Sequence, residues 1–399
     1  MNKKQLSAVI CLVSTLGAAG AQAQVEAASV KLGSGIEFTP SLNMDFQHDD
    51  NVTMAETDEI DSPVAVINPN FLLSADNGVS AYNLNYSLVR GEYFESEEDN
   101  YTDHFLSGGA GWEFNDRNKL ELKGSLTDGH EPRGTGFSQG SGNNISEPDR
   151  FKRNDINGKY TFGAESAKGQ LSLLLGTDDK DYEGGLRTAG RDRGTDYGTL
   201  AFKYNSGSRT KLLAEIDRRD IGYDYVADGA DTLDSSEMRY QVGVTWEGTA
   251  KTTGTVKVGG RTKEFESAAR EDFSGPSWEV GVRWTPKEYS AFDLNTARRS
   301  SETDGVGDFI DTTSYTFGWS HEWADRLTSQ ATYDYSINDY QGEGVDREDD
   351  VSSFGLQLNY QMRRWLAFKA GINLSDKDSN VAGFAYEKNV TFVGLQASL

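Results

Sequence analysis

Cysteine is almost absent from this 399-residue chain. The single copy, Cys11, falls inside an export leader, so the processed chain has neither a disulfide framework nor thiolate chemistry. The leader, residues 1–23, has Lys3 and Lys4 at its start, an apolar core from Leu6 to Leu16, and Ala21-Gln22-Ala23 before Gln24 as a small-residue cleavage site. Ala8-Val9-Ile10 ahead of Cys11 does not have the form of a lipoprotein acylation box. The apolar core is shorter than the roughly 20 residues a helix needs to span a bilayer, and no later run approaches that length. Basic residues are scarce too, 39 against 63 acidic ones. Lys3 and Lys4 are the only charges in the leader, so its removal moves the formal charge from −24 to −26. That balance excludes a nucleic-acid surface built on phosphate neutralisation. Histidine occurs four times, at His48, His104, His130 and His321, the first three in or beside polar loops. A hydrolytic site needs nucleophile, base and orienting group within reach of one another, and Ser320 and His321 point to opposite faces of a strand. The chain therefore reads as non-enzymatic, with no cofactor.

What the chain has in abundance is alternation. Between Gly35 and Phe46, Ile36, Phe38, Pro40, Leu42, Met44 and Phe46 share one face; Glu37, Thr39, Ser41, Asn43 and Asp45 share the other. Some eighteen such stretches fill the sequence. Eight short connections rich in tight-turn residues, at 75–78, 115–118, 165–168, 205–208, 247–250, 285–288, 323–326 and 361–364, recur about 40 residues apart. Between them lie nine longer polar stretches, near 47–61, 90–100, 127–150, 177–193, 218–235, 262–275, 299–310, 337–350 and 375–386. Seventeen connections join eighteen strands, and an even count puts both termini on one side. This pattern predicts an all-β fold, a transmembrane antiparallel up-and-down β-barrel of about 18 strands with short periplasmic turns and long extracellular loops. The barrel would occupy residues 34–399, after a short periplasmic segment at 24–33, in the outer membrane of a Gram-negative bacterium. A mean hydropathy of −0.62 does not argue against it, because only alternate residues meet lipid.

Parity sorts the side chains. Large aromatics gather beside the short turns: Phe114, Tyr204, Trp246, Trp284, Trp323, Tyr360 and Trp365. Rings with one apolar and one wet end suit a membrane interface, so these read as a periplasmic girdle against outer-membrane lipid. The opposite parity carries Glu121, Lys123, Lys159, Lys203, Glu215, Arg239, Lys257, Glu279 and Arg283, which would line a lumen. Their mixed signs would keep the bore wet without a strong charge filter. Tyr182, Tyr223 and Tyr225 share the inward parity near the outer mouth, where loop packing explains them as well as sugar contact does. The acidic stretches Asp49-Asp50, Glu95 to Asp99 and Asp346 to Asp350 lack calcium-loop spacing and read as solvated, mutually repelling loops. Gly134 to Gly142 lacks the strand-to-helix context of a phosphate cradle. The long stretch from Thr127 to Arg150 that holds it is the best candidate for folding into the mouth as a constriction.

Two resemblances add to this reading. Phe392-Val393-Gly394-Leu395-Gln396-Ala397-Ser398-Leu399 is similar to the final strand through which the barrel-assembly machinery recognises outer-membrane barrels, though it ends in leucine and has Ala397 where an aromatic is common. His48-Asp49-Asp50-Asn51-Val52, Ile67-Asn68-Pro69-Asn70-Phe71 and Tyr82-Asn83-Leu84-Asn85-Tyr86 resemble the opening hairpins of the β-barrel porin 2 family, whose members are commonly encoded in exopolysaccharide and capsule operons. The resemblance implies an outer-membrane passage for a secreted polysaccharide, working with a periplasmic polysaccharide-export protein and a tyrosine-kinase-linked copolymerase. It supplies no catalytic residues. A general or oligosaccharide-uptake porin, and a structural or adhesive barrel, stay open as alternatives.

Overall fold

The computed structural model describes residues 29–398 except 34, 208 and 250; the leader and its cleavage site lie outside the described residues. The strands are β1 (Val30–Gly33), β2 (Ile36–Asp49), β3 (Ser62–Asp76), β4 (Ser80–Tyr93), β5 (Tyr101–Asn115), β6 (Asn118–Glu131), β7 (Asp149–Phe162), β8 (Gly169–Tyr182), β9 (Arg193–Asn205) and β10 (Thr210–Tyr223). They continue as β11 (Ser235–Thr249), β12 (Thr252–Phe265), β13 (Phe273–Lys287), β14 (Ser290–Glu302), β15 (Phe309–Ala324), β16 (Leu327–Gln341), β17 (Arg347–Arg363), β18 (Leu366–Ser379) and β19 (Tyr386–Ser398). From β2 onward each strand pairs antiparallel with its sequence neighbours, and β19 returns to β2 from Val390 opposite Asp49 to Ser398 opposite Ser41. Eighteen strands thus close a cylinder, and closure leaves no open edge for backbone polar groups.

The nineteenth strand has a local cause. β3 pairs along all of β2, but β19 stops at Ser41 and leaves the other edge of residues 36–38 unmatched. β1 folds back and pairs there, Val30 with Phe38 and Lys31 with Glu37. Register shifts sit at the short-turn ends of five hairpins, between Glu113 and Asn115 for example, where the extra residue tightens the twist into the turn.

The eight short and nine long connections fall where the sequence places them, but the strands run further toward the long loops. β6 reaches Glu131, past Thr127; β8 reaches Tyr182, past Thr177; β14 reaches Glu302 and β18 reaches Ser379. Apolar alternation ends there because both faces are polar, while the hydrogen-bond ladder continues regardless. Above the apolar band the ladder depends on cross-strand partners and needs no lipid-facing residue.

Burial is inverted relative to a soluble protein. Val242 and Ile156 are 61% exposed, while Arg261 and Lys263 are 0% exposed. The exposed apolar side chains form the outer wall, and the most enclosed residues gather at the long-loop end. At about 25 cal/mol per Å², each half-exposed Leu, Val or Phe leaves roughly 1 kcal/mol unrealised in water, and several dozen such residues require a hydrocarbon surround. Val242, opposite Val258 and Ala214, stands at mid-height of this band. Val242→Arg is expected to destabilise the barrel in lipid by about 2–4 kcal/mol, read as a lower urea midpoint. An unchanged midpoint would mean that this face does not meet hydrocarbon.

Candidate functional site: the bore and its mouth

The inner face of the cylinder divides into two halves of different chemistry. One half, β15 to β19 continuing into β2 to β5, is amide-rich. Asn43 of β2 stands opposite Gln396 of β19 on one side and Asn68 of β3 on the other, which sets three amides in a row. Gln330 opposes Gln357 across β16 and β17, and Gln357 donates to Asn359 at 2.7 Å. Pro69 explains one detail. It has no N–H to give, the β3–β4 register is interrupted at that point, and the Asn68 side chain donates instead to Leu88 O and Ser87 Oγ, both at 2.7 Å.

The other half, β6 to β14, is charged. Asp217 accepts from Arg239 at 3.0 Å and from Thr199 at 2.6 Å. Lys257 bridges Glu215 at 2.9 Å and Glu279 at 3.3 Å, and Arg299 adds a second contact to Glu279 at 3.0 Å. The bridge to Glu215 passes over β11 at Gly243, where a Cβ would lie 2.2 Å from the Val256 carbonyl oxygen and 3.0 Å from Lys257 Cγ. Arg283 pairs with Asp293 at 3.4 Å. Of the nine residues assigned to a lumen, the structure joins Glu215, Lys257 and Glu279 into one chain and gives Arg239 and Arg283 partners on adjacent strands. Among the described residues Glu121, Lys123, Lys159 and Lys203 make no ion pair, although Glu121 stands opposite Lys159 in register. Phe114, Tyr204, Trp284, Trp323, Tyr360 and Trp365 are exposed beside the short turns, whereas Trp246 is half-buried over Gly254.

The mouth is built by the connection at 132–148, between β6 and β7. Its root is Arg133, buried at 3% exposure, which donates to Asp99, to Ser96 at 2.9 Å and to Ile145 O at 3.1 Å. Gly134 adopts φ +84 against the Thr53 carbonyl, where a Cβ would sit 2.0 Å from the oxygen. The tip then reaches the opposite wall. Gln139 donates to Asp304 at 2.6 Å and accepts from Arg347 at 2.6 Å and Lys377 at 2.7 Å. Asp304 lies between β14 and β15, Arg347 on β17 and Lys377 on β18, all far around the ring from β6 and β7. Arg347 is sandwiched between the Tyr340 and Phe384 rings, 4.1 and 3.9 Å from their centroids. The long stretch flagged from its length therefore bridges the mouth. Gln139, Asp304, Arg347 and Lys377 carried no sequence signal, because their partners are 165 to 238 residues away.

One reading of the loops needs correction. The acidic stretches do not simply repel one another in solvent. Asp49 pairs with Lys388, Asp99 with Arg133, and Asp349 with Arg347 and Lys377, and all three acids are buried. Among the described residues no group of acids and histidines has the arrangement of a metal site. Tyr182 and Tyr223 are loop packing: they donate to Glu131 and Glu302, at 2.5 and 2.7 Å. A 710 Å³ recess lined by Asp179, Asp196, Asp220 and Glu264 opens on the outer face above the apolar band, off the route through the bore.

A model of the family described as Putative beta-barrel porin 2 matches residues 24–399. Among solved structures, the siderophore receptor PiuA from Acinetobacter baumannii is similar at 8% identity and a TM-score of 0.51, over 93% of this chain and 78% of that one. OccAB3 from Acinetobacter baumannii aligns at 11% identity and a TM-score of 0.48, over 92% of this chain and 100% of that one. At such identity the likeness to PiuA is one of fold alone. No curated protein sequence matches the chain.

Two expectations follow from the mouth. Hydrogen bonds to charged groups contribute about 1.5–3 kcal/mol each, so Gln139→Ala weakens the bridge by roughly 3 kcal/mol or more. Single-channel conductance should rise in this variant and further on deletion of 134–144; unchanged conductance in both would mean that the bridge does not limit flow. The second concerns Glu131, at the outer end of β6. Burial pushes its carboxyl up, but Arg191 and Lys180, each at 2.7 Å, outweigh this and hold it at about 2. The folded value lies below the unfolded one, so the stabilisation is present above about pH 4.5 and is lost as pH falls toward 2. Amide-exchange protection of residues 183–192 should fall through that window, and a flat profile would contradict it.

Proposed function

Because the chain belongs to the β-barrel porin 2 family, we propose that this outer-membrane pore is a non-enzymatic exporter of a secreted exopolysaccharide or capsular polysaccharide in a Gram-negative bacterium. The observation that carries the reading is the amide-rich half of the bore, with Asn43, Asn68 and Gln396 in one row. Amides donate and accept equally, which matches sugar hydroxyls, and each such bond in water is worth only about 0.5–1.5 kcal/mol. A hydrated glycan would exchange one shallow contact for the next without stalling, as conduction requires. On this reading the polymer arrives from a periplasmic polysaccharide-export protein, and the barrel-assembly machinery inserts the chain. One observation favours uptake of small oligosaccharides instead: the bridge of Gln139 across the mouth narrows the outer opening. A strain lacking the protein should lose matrix or capsular polysaccharide from its surface and accumulate it in the periplasm. Normal secretion in that strain, with slowed uptake of oligosaccharides, would select the second reading.

A further inference from the structure

Carboxylates in the bore are almost all committed, whereas four lysines near the short-turn end have no carboxylate partner among the described residues. Glu279, Asp217 and Asp293 are held by bases on neighbouring strands, Glu215 by Lys257 across β11, and Asp45 by Lys369 at 2.9 Å. Glu113 holds Lys119 at 2.7 Å. Lys123 of β6, Lys159 of β7, Lys203 of β9 and Lys211 of β10 have no carboxylate within ion-pair distance among the described residues. All four lie on the inner parity in the half of their strands nearest the short turns. β8, between them, contributes no charge at this height: Lys203 stands opposite Gln170, and Lys159 opposite Leu174. Lys203 is within Coulombic reach of Lys159 and Lys211; Glu215 is also within that reach but already binds Lys257. Glu121 stands opposite Lys159 in register and makes no ion pair among the described residues.

Four like charges gathered on one wall without partners are unfavourable unless a mobile anion serves as counter-charge. Their chemistry also suits transit. Arg239, Arg283 and Arg299 are engaged with carboxylates, whereas an ammonium is a compact, strongly hydrated point charge that demands no fixed geometry. Resting on the export reading above, we propose that Lys123, Lys159, Lys203 and Lys211 form an anion-recognition site at the periplasmic entrance of the bore, and that the exported glycan carries acidic groups. Such a chain would place its acids on the lysine wall and its hydroxyls on the facing amides. The site acts over short range, since charges are screened within about 8 Å at physiological ionic strength.

The test uses the full-length protein in planar bilayers, with oligogalacturonate, a sulfated carrageenan oligomer or neutral maltohexaose added on the periplasmic side. Wild type should be blocked by at least one acidic oligomer at a frequency about tenfold above maltohexaose, and whichever acid blocks identifies carboxylate or sulfate as the recognised group. K159Q/K203Q/K211Q should lose that excess while its block by maltohexaose is retained, and its reversal potential in a KCl gradient should shift toward cation preference. Equal block of wild type by acidic and neutral oligomers overturns the site but leaves glycan passage standing. A triple variant blocked by acidic oligomers as often as wild type likewise overturns it. If no oligomer enters wild type, glycan export fails, and the acidic-substrate inference with it.

Discussion

Hydrocarbon offers a peptide group nothing to bond with, so every amide in this wall must find its partner on a neighbouring strand. The rest of the structure is subordinate to that requirement. It explains why β19 returns to β2. It also explains why the edge that β19 leaves bare on β2 is matched by the short β1. Once the ladder is closed, side chains are released from holding the fold together, and their identity can be set by what lies on each side.

That release accounts for the inverted burial. Leu84, Val242 and Val258 face outward because lipid, not a core, receives them. In the bore the charges pair across the strands, closely between Lys257 and Glu215 at 2.9 Å and more loosely between Arg283 and Asp293 at 3.4 Å. Tight packing reappears at the outer mouth. There Arg261, Lys263, Asp349 and Arg347 are excluded from water and bound to opposite charges. A buried charge pair is a poor source of net stability but a strict determinant of geometry, since removing one partner leaves the other uncompensated. At the mouth the pairs of Arg133 with Asp99 and of Arg347 with Asp349 anchor the bridge made by residues 132–148, while the wall below remains a simple repeat.

Period-two alternation exposed the strands, because in a lipid-facing wall each residue's face is a local property. Alternation carries no sign of the interrupted register at Asn68 and Pro69, which depends on how β3 meets β4. Strand ends were less legible. Past Thr127 and Thr177 both faces turn polar, and polarity does not distinguish a loop from a strand that has left the membrane. The acidic stretches were misread for a related reason: Asp99 and Asp349 look solvated beside their sequence neighbours, and their arginine and lysine partners are brought to them only by the ring.

By itself, the sequence determined the class of fold, the number of strands, the sidedness of turns and loops, and which residues share a face. Each depends on spacing along a single chain. Only the tertiary structure decided that Gln139 meets Asp304, Arg347 and Lys377 across the mouth, that Glu215 is taken by Lys257, and that Lys159 and Lys203 find no carboxylate among the described residues. Those outcomes depend on curvature and register, which place distant strands side by side around a closed circumference, and no local pattern encodes the distance across it.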